Sequence, residues 1–290
     1  MRSWILLFAG IISCSSSAIF IKSSMMHPAY LAALRLLIAS VILLPFFLKE
    51  FRKHRKDIDV RKLWLSALPG GLLLALHFIS WNEGARRTLA IHATLIVNMI
   101  PVVMPLILWI TLREKLQRME WLATFVSAIG IGWLAVHDYH FSREYLVGDA
   151  ICFLSMVLFA YYLSFGRKNR EARSILLYMV PLYLIAGLIC LIISLFDWRS
   201  LTASTPNDYL MAFCLAIIPT IAGHTLINHA MRTIRGQVVA VLNLSQFIFA
   251  GFFAFVLWKE IPEWTFVWVS GFVIFSCILG MQSHRSSKQT

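Results

Sequence analysis

Eight side chains that could bind a small solute lie within long apolar stretches of this sequence. A guanidinium can hold a carboxylate or a phosphate, an indole can pack on an apolar group, and amides and imidazoles can donate and accept hydrogen bonds. Each group is costly in an apolar environment unless it has a partner, so each indicates either a binding site or a structural contact. The eight candidates for substrate binding are Arg35, His77, Trp81, Asn98, His224, Asn228, Asn243 and Gln246.

Helical spacing places several of these candidates on shared faces. His77 and Trp81 are four positions apart, and Thr220, His224 and Asn228 repeat this spacing later in the chain. Residues four apart lie on the same side of a helix. The two stripes predict two walls of a central cavity. The alternative is that they are polar contacts between helices, each contributing ~0.6 kcal/mol on average.

Arg35 is the one charge that the sequence places well inside an apolar stretch. An unpaired guanidinium at the centre of a membrane costs at least ~2.5 kcal/mol on insertion scales, so Arg35 needs a partner or access to water. One interpretation is a counter-charge for a substrate carboxylate or phosphate. The other is a structural hydrogen bond, or a side chain that extends to the outer surface.

The sequence repeats itself weakly at a shift of 145 positions. At this shift Asn98 falls on Asn243, Lys22 on Arg167, and the pair Arg87-Thr88 on Arg232-Thr233. A buried amide must satisfy two donor hydrogens and an acceptor, so each asparagine faces a neighbouring helix or the cavity. Helix packing and solute contact both stay open for this pair. Gln246, three positions after Asn243, can share its face.

The composition excludes an ordinary soluble domain, because 59% of the 290 residues are hydrophobic and only 14% are charged. About 20 apolar residues cross a bilayer as a helix. The sequence therefore predicts an all-α integral membrane protein of ten transmembrane helices, arranged as two five-helix repeats over 1–137 and 146–282. Five is odd, so the second repeat must be inverted relative to the first. The predicted spans are roughly 4–21, 28–48, 63–82, 89–112, 119–136, 147–165, 174–196, 209–229, 236–257 and 264–282.

The basic residues predict how the chain crosses the bilayer. With both termini in the cytoplasm, 19 of the 26 Lys and Arg residues lie on the cytoplasmic side, as the positive-inside rule requires. This predicts a multi-pass protein of the inner, or plasma, membrane. The net charge of +12 then reflects topology, so the lipid bilayer is the expected partner and nucleic acid is not.

The sequence indicates neither a cofactor nor a metal. The fourteen acidic residues all lie in loops or near span ends, which argues against a buried carboxylate proton relay. If protons are coupled, the groups that titrate near neutrality within the spans are His77, His92, His224 and His229. Uncoupled transport is an equal alternative. The cysteines lack metal-like spacing, no nucleotide or hydrolase motif is present, and the oligomeric state is not predicted.

Four short motifs resemble the drug/metabolite transporter superfamily, EamA type. They cover 74–81 (LALHFISW), 101–114, 218–225 (IPTIAGHT) and 257–262 (LWKEIP), in the order and spacing of that family. The resemblance implies ten spans, two EamA-like repeats and transport of small metabolites, often outward. One departure is that many relatives carry Gly-Glu-Pro where this chain has Ser245-Gln246-Phe247.

The hypothesis from the sequence is a secondary transporter, or permease, rather than an enzyme. It would move a small polar or amphipathic metabolite such as an amino acid by alternating access, with export as the expected direction. One alternative is an integral membrane enzyme acting on lipid, with His54 and Asp59 as its catalytic groups. Another is a structural or sensory membrane protein without solute flux.

Overall fold

The computed structural model describes residues 2–137, 143–169, 173–197, 204–259, 261 and 264–286. Every long element among them is a helix, and together these helices form the ten spans. The spans are Arg2–Ser15 with Ser17–Lys22, Pro28–Lys53, Val60–Arg86, Ala90–Asn98 with Ile100–Leu112, Arg118–His137, Arg143–Lys168, Ile175–Ser194, Pro206–Leu215 with Ala216–Thr225 and Leu226–Ala230, Gly236–Asn243 with Gln246–Trp258, and Trp264–Ser286.

The predicted all-helical membrane fold is confirmed. Within the described ranges, nine helical segments are long and apolar enough to cross a membrane. The remaining predicted span, the fifth, is the 20-residue helix Arg118–His137, which packs along the tenth span. A chain with this many apolar helices is a multi-pass membrane protein.

Several helices are longer than the hydropathy pattern predicts. The second span continues from 48 to Lys53, and the third begins at Val60 instead of 63. Hydropathy marks only the part of a helix that lies in hydrocarbon, whereas the helix itself ends at a capping group. Asp59 provides such a group for the third span, because its carboxylate accepts a hydrogen bond of 3.2 Å from the backbone N–H of Lys62.

The fourth and ninth spans are both broken, at equivalent points of the two repeats. The first break is at Met99 and the second at Leu244–Ser245, and Met99 falls on Leu244 at the 145-residue shift. Pro101 explains the first break, since proline lacks an N–H and its ring collides with the carbonyl one turn earlier. At the 145-residue shift the residue equivalent to Pro101 is Gln246. The break in the ninth span therefore occurs without a proline.

The eighth span contains a wide π-helical stretch, Ala216–Thr225, that includes Pro219. Side-chain hydroxyls donate hydrogen bonds to backbone carbonyls of this stretch. The hydroxyl of Thr220 donates to the carbonyl of Leu215 at 2.8 Å, and the hydroxyl of Tyr183 donates to the carbonyl of Thr220 at 2.9 Å. The four-residue spacing of Thr220, His224 and Asn228 defines one face only in a regular α-helix. The wider turn changes which side chains share a face after residue 220.

Helix packing follows the sequence repeat. Three spans pack on their own equivalents, namely the second on the seventh, the fourth on the ninth and the fifth on the tenth. The third span packs on the sixth, and the equivalent pair, the eighth and the first, also packs together. This pairing is what two copies related by a two-fold axis produce.

The repeat-equivalent cations Lys22 and Arg167 perform the same structural task. The Lys22 ammonium donates to the carbonyl of Thr88 at 2.7 Å, at the end of the third span. The Arg167 guanidinium donates to the carbonyls of Met231 at 2.8 Å and Ile234 at 3.1 Å, at the end of the eighth span. Each cation thus binds the free carbonyls after the third span of its own repeat.

The third and sixth spans cross in close contact at two glycines. A Cβ atom on Gly148 would lie 2.5 Å from the carbonyl oxygen of Arg87, and one on Gly84 would lie 2.7 Å from the Cys152 sulfur. Small residues let membrane helices approach in this way.

We therefore expect Gly148→Ala to destabilise the protein by about 1–3 kcal/mol, because the added methyl group forces the helices apart. The thermal unfolding midpoint of the purified protein measures this effect. Gly132→Ala is the matched control, since a Cβ at Gly132 meets nothing within 4 Å and alanine favours the helix. Equal midpoints for the two variants would contradict the close crossing.

Candidate functional site

A central cavity of about 30 Å³ lies between spans of both repeats. It is bordered by the first, third and fourth spans of the first repeat and by the sixth, eighth and ninth spans of the second. Five of the eight candidate residues line it, and the chain supplies further lining from side chains that were not among the candidates. The five are His77, Trp81, Asn98, His224 and Gln246, and the others include Cys14, Ser15, Ser17, Phe78, Thr94 and Phe159.

Aromatic rings form one wall of the central cavity. His77 stacks on Phe159 with 4.6 Å between ring centroids, and the rings of His224 and Phe78 are nearly perpendicular with 5.0 Å between centroids. The two imidazoles come within 6.2 Å of each other, although they lie on different repeats. Phe159 belongs to a nearly uniform apolar stretch, so no periodicity in the sequence distinguishes it as cavity-lining.

His77 is held by a serine of the sixth span. Its Nδ1 lies 3.0 Å from the backbone oxygen of Ser155 and 2.8 Å from the hydroxyl, and the hydroxyl donates to the His77 carbonyl at 3.0 Å. A carbonyl can only accept, so this geometry assigns the ring proton to Nδ1 and leaves Nε2 as the acceptor of the neutral ring. His224 differs, because its buried Nδ1 has no hydrogen-bonding partner in the described protein.

Arg35 is fully buried, directly behind the central cavity. Its Nε donates to the Thr220 hydroxyl at 2.9 Å, and its guanidinium carbon lies 3.9 Å from the centroid of Phe78, a cavity-lining ring. The two terminal nitrogens have no hydrogen-bonding partner among the described atoms. The alternative in which Arg35 extends to the outer surface is therefore wrong. The side chain points into the packed bundle, where Thr220 and Phe78 hold it.

The two repeat-equivalent asparagines bind each other. The Asn243 amide donates to the Asn98 side-chain oxygen at 2.8 Å, and the Asn98 amide donates to the backbone oxygen of Thr94 at 2.8 Å. The Gln246 amide donates in turn to the Asn243 oxygen at 2.5 Å. This chain of amides crosses from the fourth span to the ninth at their breaks. Asn98 and Gln246 reach the cavity, whereas Asn243 lies behind them.

The structure places Asn228 away from the cavity. Its amide donates to the Tyr162 hydroxyl at 2.6 Å and to the His224 carbonyl at 2.9 Å. These two bonds are the physical reason, because they direct the Asn228 amide toward the sixth span and its own helix backbone instead of the cavity. A layer of polar residues thus lies behind the lining side chains, and it contains Arg35, Asn228 and Asn243.

Polar contacts between the repeats join the bundle at both ends of the cavity. At the end that carries the basic 49–62 segment, Arg235 Nε lies 2.5 Å from Glu120 Oε1, Arg235 Nη2 lies 3.6 Å from Glu114, and Arg167 Nε lies 3.4 Å from Glu114. Glu120 is fully buried, and its carboxylate raises the pKa of Arg235. We call these four residues the basic-end latch.

At the opposite end a carboxylate contributes to joining the repeats. Asp208, at the start of the eighth span, accepts hydrogen bonds from the Ser24 hydroxyl at 2.8 Å and the Met25 backbone N–H at 2.7 Å. These two residues belong to the connection between the first and second spans. With both ends joined, the two repeats enclose the cavity.

His54 and Asp59 do not form a common site. Asp59 caps the third span, and Nε2 of His54 lies 3.8 Å from a Glu50 carboxylate oxygen. The two groups bind different partners, so this geometry gives no support to the lipid-enzyme alternative.

Comparison with known proteins identifies the class of this membrane protein. The sequence model of the EamA-like transporter family matches residues 1–136 and 146–281. The chain belongs to this transporter family, as the resemblance to the drug/metabolite transporter superfamily predicts.

A solved structure with the bare title "Crystal structure of protein" has the same fold. Its TM-score is 0.77 at 14% sequence identity, and the alignment covers 98% of this chain and 99% of the other. No curated protein sequence matches significantly.

Proposed function

We propose that this protein is a secondary transporter that moves a small amphipathic metabolite through the central cavity by alternating access. The observation that carries the proposal is the position of the cavity, between the repeats and beside the Asn98–Asn243 contact. Inverted repeats bind solutes at this interface and open to either side by moving against each other. We place the protein in the inner membrane with both termini cytoplasmic, and we propose export as the direction of transport.

The lining supports a substrate with an apolar part and an anionic group, such as an amino acid. His77, Phe159 and Trp81 offer flat apolar surfaces, while Asn98 and Gln246 offer amides. No acidic side chain lines the described cavity. Arg35 behind Phe78 has two guanidinium nitrogens free to bind a carboxylate.

The volume of the cavity sets how the solute enters. A space of about 30 Å³ is roughly a tenth of the ~300 Å³ at the lower end of ligand pockets, which is too small for an amino acid. The repeats must therefore separate at one end to admit a solute. The breaks in the fourth and ninth spans give the helix halves on each side of them freedom to change angle.

Proton coupling and uncoupled transport make different predictions for the two cavity imidazoles. If protons drive transport, His77 or His224 carries them, since both line the cavity and no carboxylate does. A pH gradient should then accelerate uptake in the original protein and should have no effect on a His77→Gln/His224→Gln double variant.

The test is uptake of metabolites by purified protein in liposomes, with and without a pH gradient. Once a solute is found, His224→Ala and Asn243→Ala should each lower flux at least tenfold, because both residues hold the cavity wall in place. His54→Ala is the control with a histidine in a connecting segment, and it should leave flux unchanged. Equal losses from all three variants would contradict a central binding site, and the absence of flux for every amphipathic solute would contradict transport itself.

A further inference from the structure

A second cavity, of about 350 Å³, lies at the basic end of the bundle. It is formed where the third span begins, the sixth span ends and the seventh span begins. It shares no lining residue with the central cavity. Its polar lining includes Asp57, Lys62, Ser66, Lys168, Arg173 and Tyr178.

Positive charge is in excess in this second cavity. Among the described lining residues, three cations stand against the one carboxylate of Asp57. Asp57 is engaged by Arg173, with 2.9 Å between the carboxylate oxygen and the guanidinium nitrogen. Lys62 has only a loose pairing with Asp59, at 3.8 Å with an 85% exposed side chain, and Lys168 lies 5.8 Å from the Phe165 ring. An anion would therefore meet two lysines for which the described residues supply no carboxylate oxygen closer than 3.8 Å.

The cavity also offers a weakly engaged hydrogen-bond donor. Tyr178 is only 2% exposed, and its hydroxyl makes no hydrogen bond of normal length and angle, its polar neighbour being the side chain of Asn169. A buried hydroxyl without a hydrogen bond of normal geometry is unfavourable. A ligand oxygen at this position would supply one.

The position of the second cavity indicates which anion reaches it. The third span presents exposed apolar side chains beside Lys62, namely Trp64 at 39%, Leu65 at 53% and Leu68 at 48% exposure. An interfacial tryptophan followed by exposed leucines marks the boundary between headgroups and acyl chains. A ligand with a phosphate at the cavity and hydrocarbon along this surface satisfies both features.

We propose that the second cavity binds the phosphate of an anionic phospholipid. Lys62 and Lys168 supply the counter-charge, the Tyr178 hydroxyl donates to a phosphate oxygen, and the acyl chains lie along the third span. Lys62 belongs to the first repeat and Lys168 to the second, so the lipid bridges the two halves of the transporter. Basic residues next to transmembrane helices attract anionic lipids in this way.

The test is lipid binding to the full chain in detergent, measured by native mass spectrometry with phosphatidylglycerol and phosphatidylcholine. Phosphatidylglycerol should bind at least tenfold more tightly than phosphatidylcholine. Lys62→Gln/Lys168→Gln should weaken phosphatidylglycerol binding roughly tenfold or more, because each basic residue contributes to the attraction. Arg52→Gln/Lys53→Gln is the matched control, since it removes the same charge from exposed positions outside the cavity.

Tyr178→Phe keeps the ring in place and tests the hydroxyl separately, and a several-fold loss of affinity is expected. It also serves if the double lysine variant fails to fold. Equal losses in the double variant and its control would overturn the proposal, because the attraction would then be a general property of the basic surface. Stabilisation by inorganic phosphate without any preference for phosphatidylglycerol would also overturn it, since the ligand would then be a soluble anion.

Discussion

Arg35→Met should raise the stability of this protein while lowering solute flux at least tenfold. Arg35 is fully buried and has one hydrogen bond, to Thr220, with two guanidinium nitrogens unbound. Replacing a buried, poorly paired charge by an apolar side chain of similar volume is often stabilising, by about 1–4 kcal/mol. A charge kept at such a cost is expected to serve function, here by binding the substrate anion.

The measurement combines thermal unfolding with uptake in liposomes. Arg35→Lys is the conservative variant, and it should keep part of the flux because an ammonium retains the charge but loses the two-nitrogen geometry. A structural role would give the opposite pattern. Arg35→Met would then unfold at a lower temperature and, where folded, would transport normally.

Arg235→Met should open the basic end of the bundle. This change leaves Glu120 fully buried without its guanidinium partner. Removing one member of a buried ion pair costs about 3–5 kcal/mol, and the protein can avoid that cost by admitting water between the repeats. A cysteine placed at Thr124, which is buried beside Gln237, should then react with a maleimide reagent at least ten times faster.

Two further variants make the labelling result specific. Glu120→Gln combined with Arg235→Met removes both charges, so the Thr124 cysteine should again be protected. Arg87→Met breaks the exposed Arg87–Glu83 pair within a single helix, which joins no repeats and should contribute less than about 1 kcal/mol. If Arg235→Met left the labelling rate unchanged, the basic-end latch would not close the pathway.

The two repeats differ at this latch. At the 145-residue shift, Arg235 corresponds to Ala90 and Glu120 to Thr265. Neither counterpart carries a charge, so the Arg235–Glu120 ion pair that joins the repeats at the basic end has no equivalent at the opposite end. We expect the protein without solute to favour the state that is closed at the basic end.

Much of the fold follows from the sequence, because a membrane imposes simple rules. Span length, the basic segments and the 145-residue repeat are sufficient to predict ten helices in two repeats. The π-helical stretch around Pro219 could not be predicted, because Pro69 occupies the third span without such a stretch. The difference arises from tertiary partners such as the Tyr183 hydroxyl, and these are distant in sequence.

The candidate site is only partly predictable, for a related reason. Polar residues in apolar helices are conspicuous, so His77, His224 and Asn98 can be recognised from the sequence. Whether such a residue faces the cavity or lies behind it depends on helix rotation, which a uniformly apolar helix does not reveal. Asn228 lies behind the cavity for this reason, and Phe159 lines it without any distinguishing signal.

The hydrogen bond between Asn98 and Asn243 joins a residue to its own copy. Such a bond forms where the two-fold axis passes, and in the proposed alternating-access cycle the two halves exchange shapes about this axis. In such an exchange the donor and acceptor of the pair would swap roles, so the amide–amide bond can form in both states. The Gln246 amide also binds Asn243, and Pro101 at the equivalent position cannot copy this contact, so the two states would not hold the pair equally.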